Sequence, residues 1–211
     1  MNENAFQASI SADELNALPL GRYEGPVKLI VSDEEARTAV HTLKRERVLG
    51  FDTETRAVFR KGESHPPALV QLAAAHAVYI FRLHHLADLG GLSVIFSNPH
   101  IVKAGVALQF DLRKLNDLHA FRTAGFVELQ KATDHAGIRS NGLRALAGIV
   151  LGVRISKSAQ CTNWSRPDLT PVQLNYAATD AWVCREVYLR LEKRHLIPPP
   201  GGTPGTAETG R

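Results

Sequence analysis

Short apolar runs alternate with helical patterns along most of the chain. Runs of strand length occur at Val27–Val31, Val48–Thr53, Ala68–Ala74 and Ala77–Phe81. Polar or turn-forming residues bound these runs, as is typical of β-strands. Only a short turn at residues 75–76 separates the last two runs, and together with the second run they predict a β-meander.

Helical patterns follow the first run and dominate the second half of the chain. Ser32 precedes Asp33–Arg45, a stretch with acidic residues in its first turn and basic residues in its last, as the helix dipole favours. Further helices are expected at residues 83–96, 106–118, 142–151 and 170–194, with a short strand near Ile101–Ala104. Strands that come first as a group and then alternate with helices predict an α/β fold, with a mixed central β-sheet flanked by helices.

Length and composition favour one intracellular domain. The chain has 211 residues, of which 44% are hydrophobic, enough for a single packed domain. No stretch approaches the roughly 18 consecutive apolar residues of a membrane span, and the N-terminus lacks a signal-peptide pattern. The two cysteines, Cys161 and Cys184, form no CxxC pair. We therefore expect a cytoplasmic protein with no membrane partner.

The ends of the chain differ from its middle. Residues 1–26 contain one weak helical turn and a Pro/Gly-rich run, and we expect them to form an N-terminal arm. Residues 198–211 are rich in proline and glycine, which predicts a disordered C-terminal tail. The folded domain is expected at residues 27–197, which hold 23 basic and 16 acidic residues, a net charge of +7 against +4 for the whole chain. This excess favours a polyanionic partner and indicates no particular oligomeric state.

The first candidate site is a pair of acidic residues in the run Phe51-Asp52-Thr53-Glu54. Side chains at positions i and i+2 of a strand point to the same face, so Asp52 and Glu54 form a carboxylate pair at the strand end. Two close negative charges repel each other unless they are protonated or bridged by a cation, and hard cations such as Mg²⁺ or Mn²⁺ prefer oxygen ligands. The alternative is that both acids face solvent after the strand has ended.

Two further candidate motifs lie in predicted helices. Asp111 stands early in the helical stretch at residues 106–118, where an acid also stabilises a helix N-terminus without any further role. Tyr176 and Asp180 are four residues apart in the last helix and share one face, and the small residues between them leave room for a large ligand. The alternative for this second motif is a Tyr–Asp contact at the protein surface.

The order and spacing of these three motifs resemble those of the DEDD superfamily of 3′–5′ exonucleases. The tyrosine matches the variety that includes ribonuclease D and the Werner-syndrome exonuclease domain. Flanking segments match as well: Pro67–Leu72, Lys103–Val106, Asn163–Ser165 and Leu174–Asp180. The resemblance extends from about residue 27 to residue 191. One position departs from the pattern, since many members have Asn four residues before the acid of the second motif, where this chain has Ala107.

This resemblance implies a ribonuclease H-like fold and a metal-dependent hydrolysis of the 3′-terminal phosphodiester of nucleic acid that releases nucleoside 5′-monophosphates. It implies two divalent ions, Mg²⁺ or Mn²⁺, with Asp52 bridging both and with Glu54 and Asp180 on the ion that holds the attacking water. It assigns Asp111 to the second ion, largely through water. It assigns Tyr176 to the orientation of the attacking water, because a tyrosine with a pKa of about 10 is a poor base at neutral pH.

Candidates for substrate contacts lie around the motifs: Thr53, Arg56, Phe59, Arg60, Lys61 and Lys157. Four of them follow the first motif in a predicted loop, where basic side chains could grip a phosphate backbone and the aromatic ring could stack on a terminal base. A solvated loop without contact to substrate is the alternative for this segment. Trp164, between the second and third motifs, is expected in the core.

The leading interpretation is therefore a 3′–5′ exonuclease that acts on nucleic acid, with single-stranded or 3′-recessed DNA favoured. The extra helical domains usual in ribonuclease D have no room after Leu196, which favours a stand-alone Werner-like nuclease. An exoribonuclease that trims RNA 3′ ends or degrades short oligoribonucleotides is the alternative. A non-catalytic nucleic-acid-binding module of the same fold is an alternative of a different class, and it would be expected to lack at least one of the four acids.

Overall fold

A mixed β-sheet lies at the centre of the part of the chain that the computed structural model describes, residues 6–57 and 64–197. Its six strands are β1 (Val27–Ile30), β2 (Val48–Thr55), β3 (Pro67–Ala73), β4 (Val78–Arg82), β5 (Val102–Gly105) and β6 (Phe126–Glu128). They are arranged in the order β1-β4-β3-β2-β5-β6. Strands β2, β3 and β4 are antiparallel neighbours, as the predicted meander requires, and the remaining pairs are parallel.

Seven α-helices accompany the sheet within the described ranges: α1 (Ala12–Ala17), α2 (Asp33–Leu43), α3 (Gly90–Phe96), α4 (Leu108–Leu118), α5 (Leu129–His135), α6 (Leu143–Leu146) and α7 (Pro171–Lys193). Ser32 caps α2 by accepting a hydrogen bond from the backbone N–H of Glu35 at 3.3 Å. Thr170 and Gln173 form a capping box at the start of α7. None of the described helices has the length and apolarity needed to cross a membrane.

The two faces of the sheet have different coverings. On one face, Phe51, Val70 and Leu72 belong to a core that includes residues of α2, α3 and α4. On the other face, Leu69 and Ile80 pack against a row of alanines on α7. Successive residues of a strand point to opposite faces, and directly paired residues share one. Asp52 directly follows Phe51 and so points to the opposite face, and Glu54 is paired with Leu69. Both acids of β2 therefore face α7.

Helix α7 lies unusually close to β2. A Cβ atom at Gly50 would lie 1.9 Å from the carbonyl oxygen of Ala181, so only glycine fits at this position of the strand. The row of small residues on the helix, Ala177, Ala178 and Ala181, is fully buried and completes this close contact. The neighbouring residue Asp180 is thereby brought against the strand that carries Asp52.

The α/β fold with a mixed sheet and flanking helices is confirmed, and so is the long last helix, which begins and ends within one residue of its expected bounds. Strand β6 and helix α5 are not anticipated by the sequence pattern, because they contain only three and seven residues. The helix expected at residues 83–96 is a 3₁₀ turn at Leu83–His85 followed by α3. The helix expected at residues 142–151 is α6 followed by a π-helical segment, Ala147–Leu151.

The described part of the N-terminal arm, residues 6–26, packs against the domain. The backbone carbonyl of Ala8 accepts a hydrogen bond from the N–H of Arg139 at 2.6 Å. Farther along, the backbone N–H of Tyr23 donates to the hydroxyl of Thr179 on α7 at 3.0 Å. The division between arm and domain after residue 26 stays a prediction, and the tail predicted at residues 198–211 lies outside the described residues.

Candidate active site

Three carboxylates meet where α7 packs on β2. Asp52 and Glu54 lie on the face of β2 that is turned towards α7, and Asp180 lies on the helix itself. One carboxylate oxygen of each residue lies within 4.8 Å of those of the other two. We call these three residues the acidic cluster. Glu54 is only 8% exposed and Asp180 only 6% exposed. Strand β2 continues to Thr55, so both of its acids lie within the strand and do not face solvent beyond its end.

Asp111 lies in the first turn of α4, close enough to the acidic cluster for its charge to contribute to the raised pKa of Asp52. The hydroxyl of Thr53 donates a hydrogen bond to the Asp111 carboxylate, and this bond opposes the rise in the pKa of Asp111 that burial causes. Thr53 and Asp52 are adjacent in β2 and point to opposite faces. Thr53 therefore contacts Asp111 on one face of the strand, while Asp52 belongs to the acidic cluster on the other face.

Glu128 on β6 fixes the start of the helix that carries Asp111. Its carboxylate accepts hydrogen bonds from the backbone N–H groups of Ala107 at 3.1 Å and Leu108 at 2.8 Å. Ala107 itself has a left-handed backbone conformation, with φ 58° and ψ 36°, which favours Asn or Gly over Ala. The sequence pattern does not indicate Glu128, because this residue lies 20 residues from Leu108 on a strand that the pattern does not predict.

Tyr176 lies one turn before Asp180 on α7. Its hydroxyl donates a hydrogen bond to the Asp180 carboxylate. Its ring packs against Trp164, with 5.9 Å between the ring centroids, and Trp164 is fully buried, as the sequence predicted. The Tyr–Asp motif is therefore part of the site and does not form an isolated surface pair.

Burial raises the pKa of each acid in this region, and the neighbouring negative charges raise most of them further. For Asp52, burial is the larger cause, followed by the charges of Asp180 and Asp111. Burial also raises the pKa of Glu54, and Asp52 contributes next. The pKa of Asp180 is raised by burial and lowered in part by the hydrogen bond from Tyr176. Burial and the acids together raise the pKa of Tyr176, so its hydroxyl keeps its proton at neutral pH.

The acidic cluster has the chemistry of a divalent-cation site. All of its donor atoms are carboxylate oxygens, the ligands that Mg²⁺ and Mn²⁺ prefer. The Oδ1 atom of Asp180 is buried and has no hydrogen-bond partner among the described residues. A buried oxygen without a donor is costly unless another partner satisfies it. Both observations fit a hard cation bound between β2 and α7.

A cleft of about 520 Å³ opens onto the acidic cluster and Tyr176. Its lining includes two basic residues, Arg144 and Lys157, together with Gln160. The Nε atom of Arg144 donates to the carbonyl oxygen of Ile155 at 3.2 Å, which anchors the guanidinium group at the cleft. Such a cleft can accept a polyanion, because its walls carry positive charge beside the cation site. Arg144 and Gln160 belong to none of the three sequence motifs, so the sequence alone does not indicate either residue.

The weaker sequence candidates have different positions. Lys157 and Thr53 line the cleft. Arg56 is exposed just beyond β2 and does not belong to the cleft lining among the described residues. The other three candidates lie outside the described residues: Phe59, Arg60 and Lys61.

Comparisons with known proteins agree with the family resemblance of the sequence. The sequence model of a family described as 3′–5′ exonuclease matches residues 27–195. The chain is 31% identical over 169 residues to exonuclease 3′–5′ domain-containing protein 2 of Drosophila melanogaster, covering 76% of this chain and 29% of the relative. It is 33% identical over 153 residues to the bifunctional 3′–5′ exonuclease/ATP-dependent helicase WRN of Mus musculus, covering 68% and 11%. The chain thus spans less than a third of the length of these two curated relatives.

Solved structures share the fold. The EXO domain of Aedes aegypti Nibbler superposes with a TM-score of 0.76 at 23% identity, covering 85% of this chain and 95% of that one. Escherichia coli RNase D, described as an exoribonuclease involved in structured RNA processing, gives a TM-score of 0.73 at 22% identity, covering 80% and 44%. At these identities the likeness establishes the fold alone.

Proposed function

The chain belongs to the 3′–5′ exonuclease family, and from that premise we propose that it hydrolyses the 3′-terminal phosphodiester of nucleic acid and releases nucleoside 5′-monophosphates. The observation that carries this proposal is that three carboxylates meet within 4.8 Å in a cleft that two basic side chains also line. These carboxylates come from the first and third motifs, and the acid of the second motif lies nearby on α4.

Asp52, Glu54 and Asp180 would hold the catalytic cations, which we propose to be two Mg²⁺ or Mn²⁺ ions. Asp111 would complete the set, in part through water. When bound, two such ions stabilise both the attacking and the leaving oxygen of the displacement. The acids would neutralise the ions and fix the position of the ions between β2 and α7. Bound positive charge would in turn relieve the repulsion between the carboxylates.

Tyr176 would orient the attacking water. Its hydroxyl lies beside Asp180 and keeps its proton at neutral pH, since burial and the surrounding acids raise its pKa. A protonated hydroxyl can donate a hydrogen bond to a phosphate oxygen or a water molecule, but it cannot remove a proton from that water. The contact with Trp164 limits the positions that the ring can take.

Arg144 and Lys157 would bind phosphates of the substrate strand. Both line the cleft that contains the acidic cluster. The hydrogen bond from Arg144 to the Ile155 carbonyl restricts the guanidinium, so less side-chain entropy is lost when it binds a phosphate. Thr53, Arg144 and Lys157 are therefore the substrate contacts that we propose within the cleft.

We propose DNA with an accessible 3′ end as the preferred substrate, with RNA as the second candidate. A relative named DNA polymerase I, from Aquifex aeolicus and 28% identical over 162 residues, supports DNA. A ribonuclease D of Gluconacetobacter diazotrophicus, 31% identical over 170 residues, supports RNA. Both substrates therefore belong in the test.

The test is a time course on 5′-labelled single-stranded DNA, 3′-recessed duplex, RNA and a dinucleotide, each with Mg²⁺ or Mn²⁺. We expect a ladder of products that shorten from the 3′ end, fastest on DNA, and no ladder with an Asp52→Ala control or with EDTA. Faster shortening of RNA would assign the second substrate instead. Cleavage that persists in the Asp52→Ala protein would refute the site.

A non-catalytic binding module of the same fold makes the opposite prediction. Such a protein would bind the labelled strands without shortening any of them. All four acids and the tyrosine are present: three of the acids and the tyrosine line one cleft, and Asp111 lies near them on α4, which supports an enzyme over this alternative.

A further inference from the structure

Gln71 is a polar residue in an otherwise apolar layer. It lies in β3, on the face that packs against α7, and its side chain is fully buried. Its neighbours on that face are Leu69 and Ala73 in the same strand and Ile80 in the paired position of β4. Neither Nε2 nor Oε1 of Gln71 has a hydrogen-bond partner among the described residues.

Two buried amide atoms without partners reduce stability, because each loses its hydrogen bonds to water and gains none in the protein. A methionine would fill nearly the same space without this cost. A glutamine at this position is therefore explained best by an interaction that serves function and not folding.

The register of the sheet shows which group lies beside it. Gln71 is paired directly with Asp52 across the antiparallel strands β2 and β3. Directly paired residues point to the same face, with Cβ atoms about 4.5–5.5 Å apart. The Gln71 amide is thus next to one of the three acids of the proposed cation site.

Asp52 has room for a further donor. A carboxylate offers about four lone-pair directions. The backbone N–H of Thr53 donates to Asp52, and cations between β2 and α7 would occupy the directions that point to Asp180. The direction towards β3 remains, and Gln71 is the polar side chain paired there.

We infer that Gln71 is a positioning residue of the cation site, whose Nε2–H group donates to the Asp52 carboxylate when cations are bound and so fixes its orientation. The inference rests on the proposed function, since it takes the acidic cluster as the cation site. Groups that orient metal ligands in this way typically change metal affinity by about 10- to 100-fold when they are replaced.

The test replaces Gln71 by methionine and measures two quantities. Calorimetric titration gives the Mn²⁺ dissociation constant, and thermal unfolding in EDTA gives the stability of the metal-free protein. We expect Gln71→Met to weaken Mn²⁺ binding by about 10- to 100-fold, while its Tm in EDTA equals or exceeds that of the wild type. A positioning role predicts weaker Mn²⁺ binding with no loss of Tm in EDTA. A structural role predicts a lower Tm and an unchanged Mn²⁺ affinity.

Gln173 provides a matched control. It is also a buried glutamine, but its Nε2 donates to Thr162 Oγ1 at 3.0 Å and to the Asn163 carbonyl at 3.2 Å, and its Oε1 accepts from the Thr170 N–H at 3.0 Å. Gln173→Met should therefore lower Tm in EDTA and leave the Mn²⁺ affinity close to that of the wild type.

The outcomes also separate this inference from the proposed function. A wild-type protein that binds no Mn²⁺ would refute the cation site itself. If the wild type binds Mn²⁺ but Gln71→Met binds it equally well, or if Gln71→Met unfolds at a lower temperature in EDTA, the role of Gln71 is overturned and the site stands.

Discussion

Asp180 shows how a single residue can be unfavourable for folding and still be kept. It is almost completely buried, one of its oxygens has no hydrogen-bond partner among the described residues, and its pKa is raised by burial. Burial raises the pKa of Asp52 and Glu54 as well. Stability is thus given up at the position where a cation would bind, which is typical of functional sites.

The raised pKa values make metal-free stability depend on pH. In the folded protein the acidic cluster holds its protons above about pH 4, where free carboxyls in the unfolded chain have already lost them. The folded state then binds more protons than the unfolded state, so its stability falls as pH rises. We expect Tm in EDTA to decrease from about pH 5 to about pH 8, and saturating Mn²⁺ to remove most of this decrease. A Tm in EDTA that rises steadily over that range would contradict the burial of these acids.

Asp180→Asn separates the contribution of this carboxylate to cation binding from its cost to stability. The change removes a cation ligand and a negative charge but keeps the size of the side chain. We expect hydrolysis to fall by at least about 10³-fold, because metal stabilisation of the transition state is worth several kcal/mol. In EDTA near neutral pH we expect a higher Tm than in the wild type, since the change removes the cost of burying the Asp180 carboxyl, which raises its pKa. A lower Tm in circular dichroism melts would show that the carboxylate is structural.

Arg144 tests the basic wall of the cleft. Replacing Arg144 by alanine removes a phosphate contact but leaves the acidic cluster intact. We expect KM for a labelled oligonucleotide to rise on the order of tenfold, with a smaller change in kcat, because a charged hydrogen bond is worth roughly 1.5–3 kcal/mol. Arg37→Ala on α2, an exposed residue outside the cleft, is the control and should leave KM unchanged. An equal effect of both variants would mean that only net charge matters.

At the scale of elements, the distance between β2 and α7 sets the geometry of the acidic cluster. Gly50 allows this distance, since a Cβ there would collide with the Ala181 carbonyl at 1.9 Å. Gly50→Ala should force the strand and helix apart, destabilise the protein by about 1–3 kcal/mol or more in urea unfolding, and weaken Mn²⁺ binding. The matched control is Gly91→Ala on α3, where a Cβ would make an ordinary 3.7 Å contact with Val40. Similar losses in both variants would contradict the assignment to the β2–α7 contact.

The elements that carry the motifs could be predicted from the sequence, whereas those that support them could not. Strand β2 and helix α7 have long, regular apolar patterns and strong boundary residues such as Thr170. Strand β6 has three half-buried residues and no such pattern, so Glu128 could not be connected with Ala107. The same limit applies to Gln71. Its residue type is visible in the sequence, but its pairing with Asp52 is a property of strand register.

At the scale of the whole molecule, the N-terminal arm forms part of the site. Leu15 on α1 lines the cleft of the acidic cluster. Leu20 and Arg22 line a second pocket of about 480 Å³, which Tyr176 and Asp180 also border. The sequence pattern predicted an arm leading into the domain, and it could not show this contact because the partners lie more than a hundred residues away, as with Tyr23 and Thr179.

Charge is likewise organised across the molecule. Residues 27–197 carry a net charge of +7, although they contain the acidic cluster and Asp111. The other residues of this range therefore carry a net positive charge, whereas the acidic cluster is a local negative site that a cation would neutralise. Such a balance of charge would favour the proposed polyanionic substrate, and the acidic cluster would hold the proposed divalent ions.

The proposed hydrolysis requires that Asp52, Glu54 and Asp180 hold divalent ions. The most direct test is a crystal of the wild-type protein soaked with Mn²⁺ and a nucleoside 5′-monophosphate, examined for the anomalous signal of manganese. We predict two manganese peaks between β2 and α7, coordinated by these three carboxylates, with the nucleotide phosphate beside them. Ordered nucleotide in the cleft without manganese at the acidic cluster, at a saturating Mn²⁺ concentration, would contradict the account.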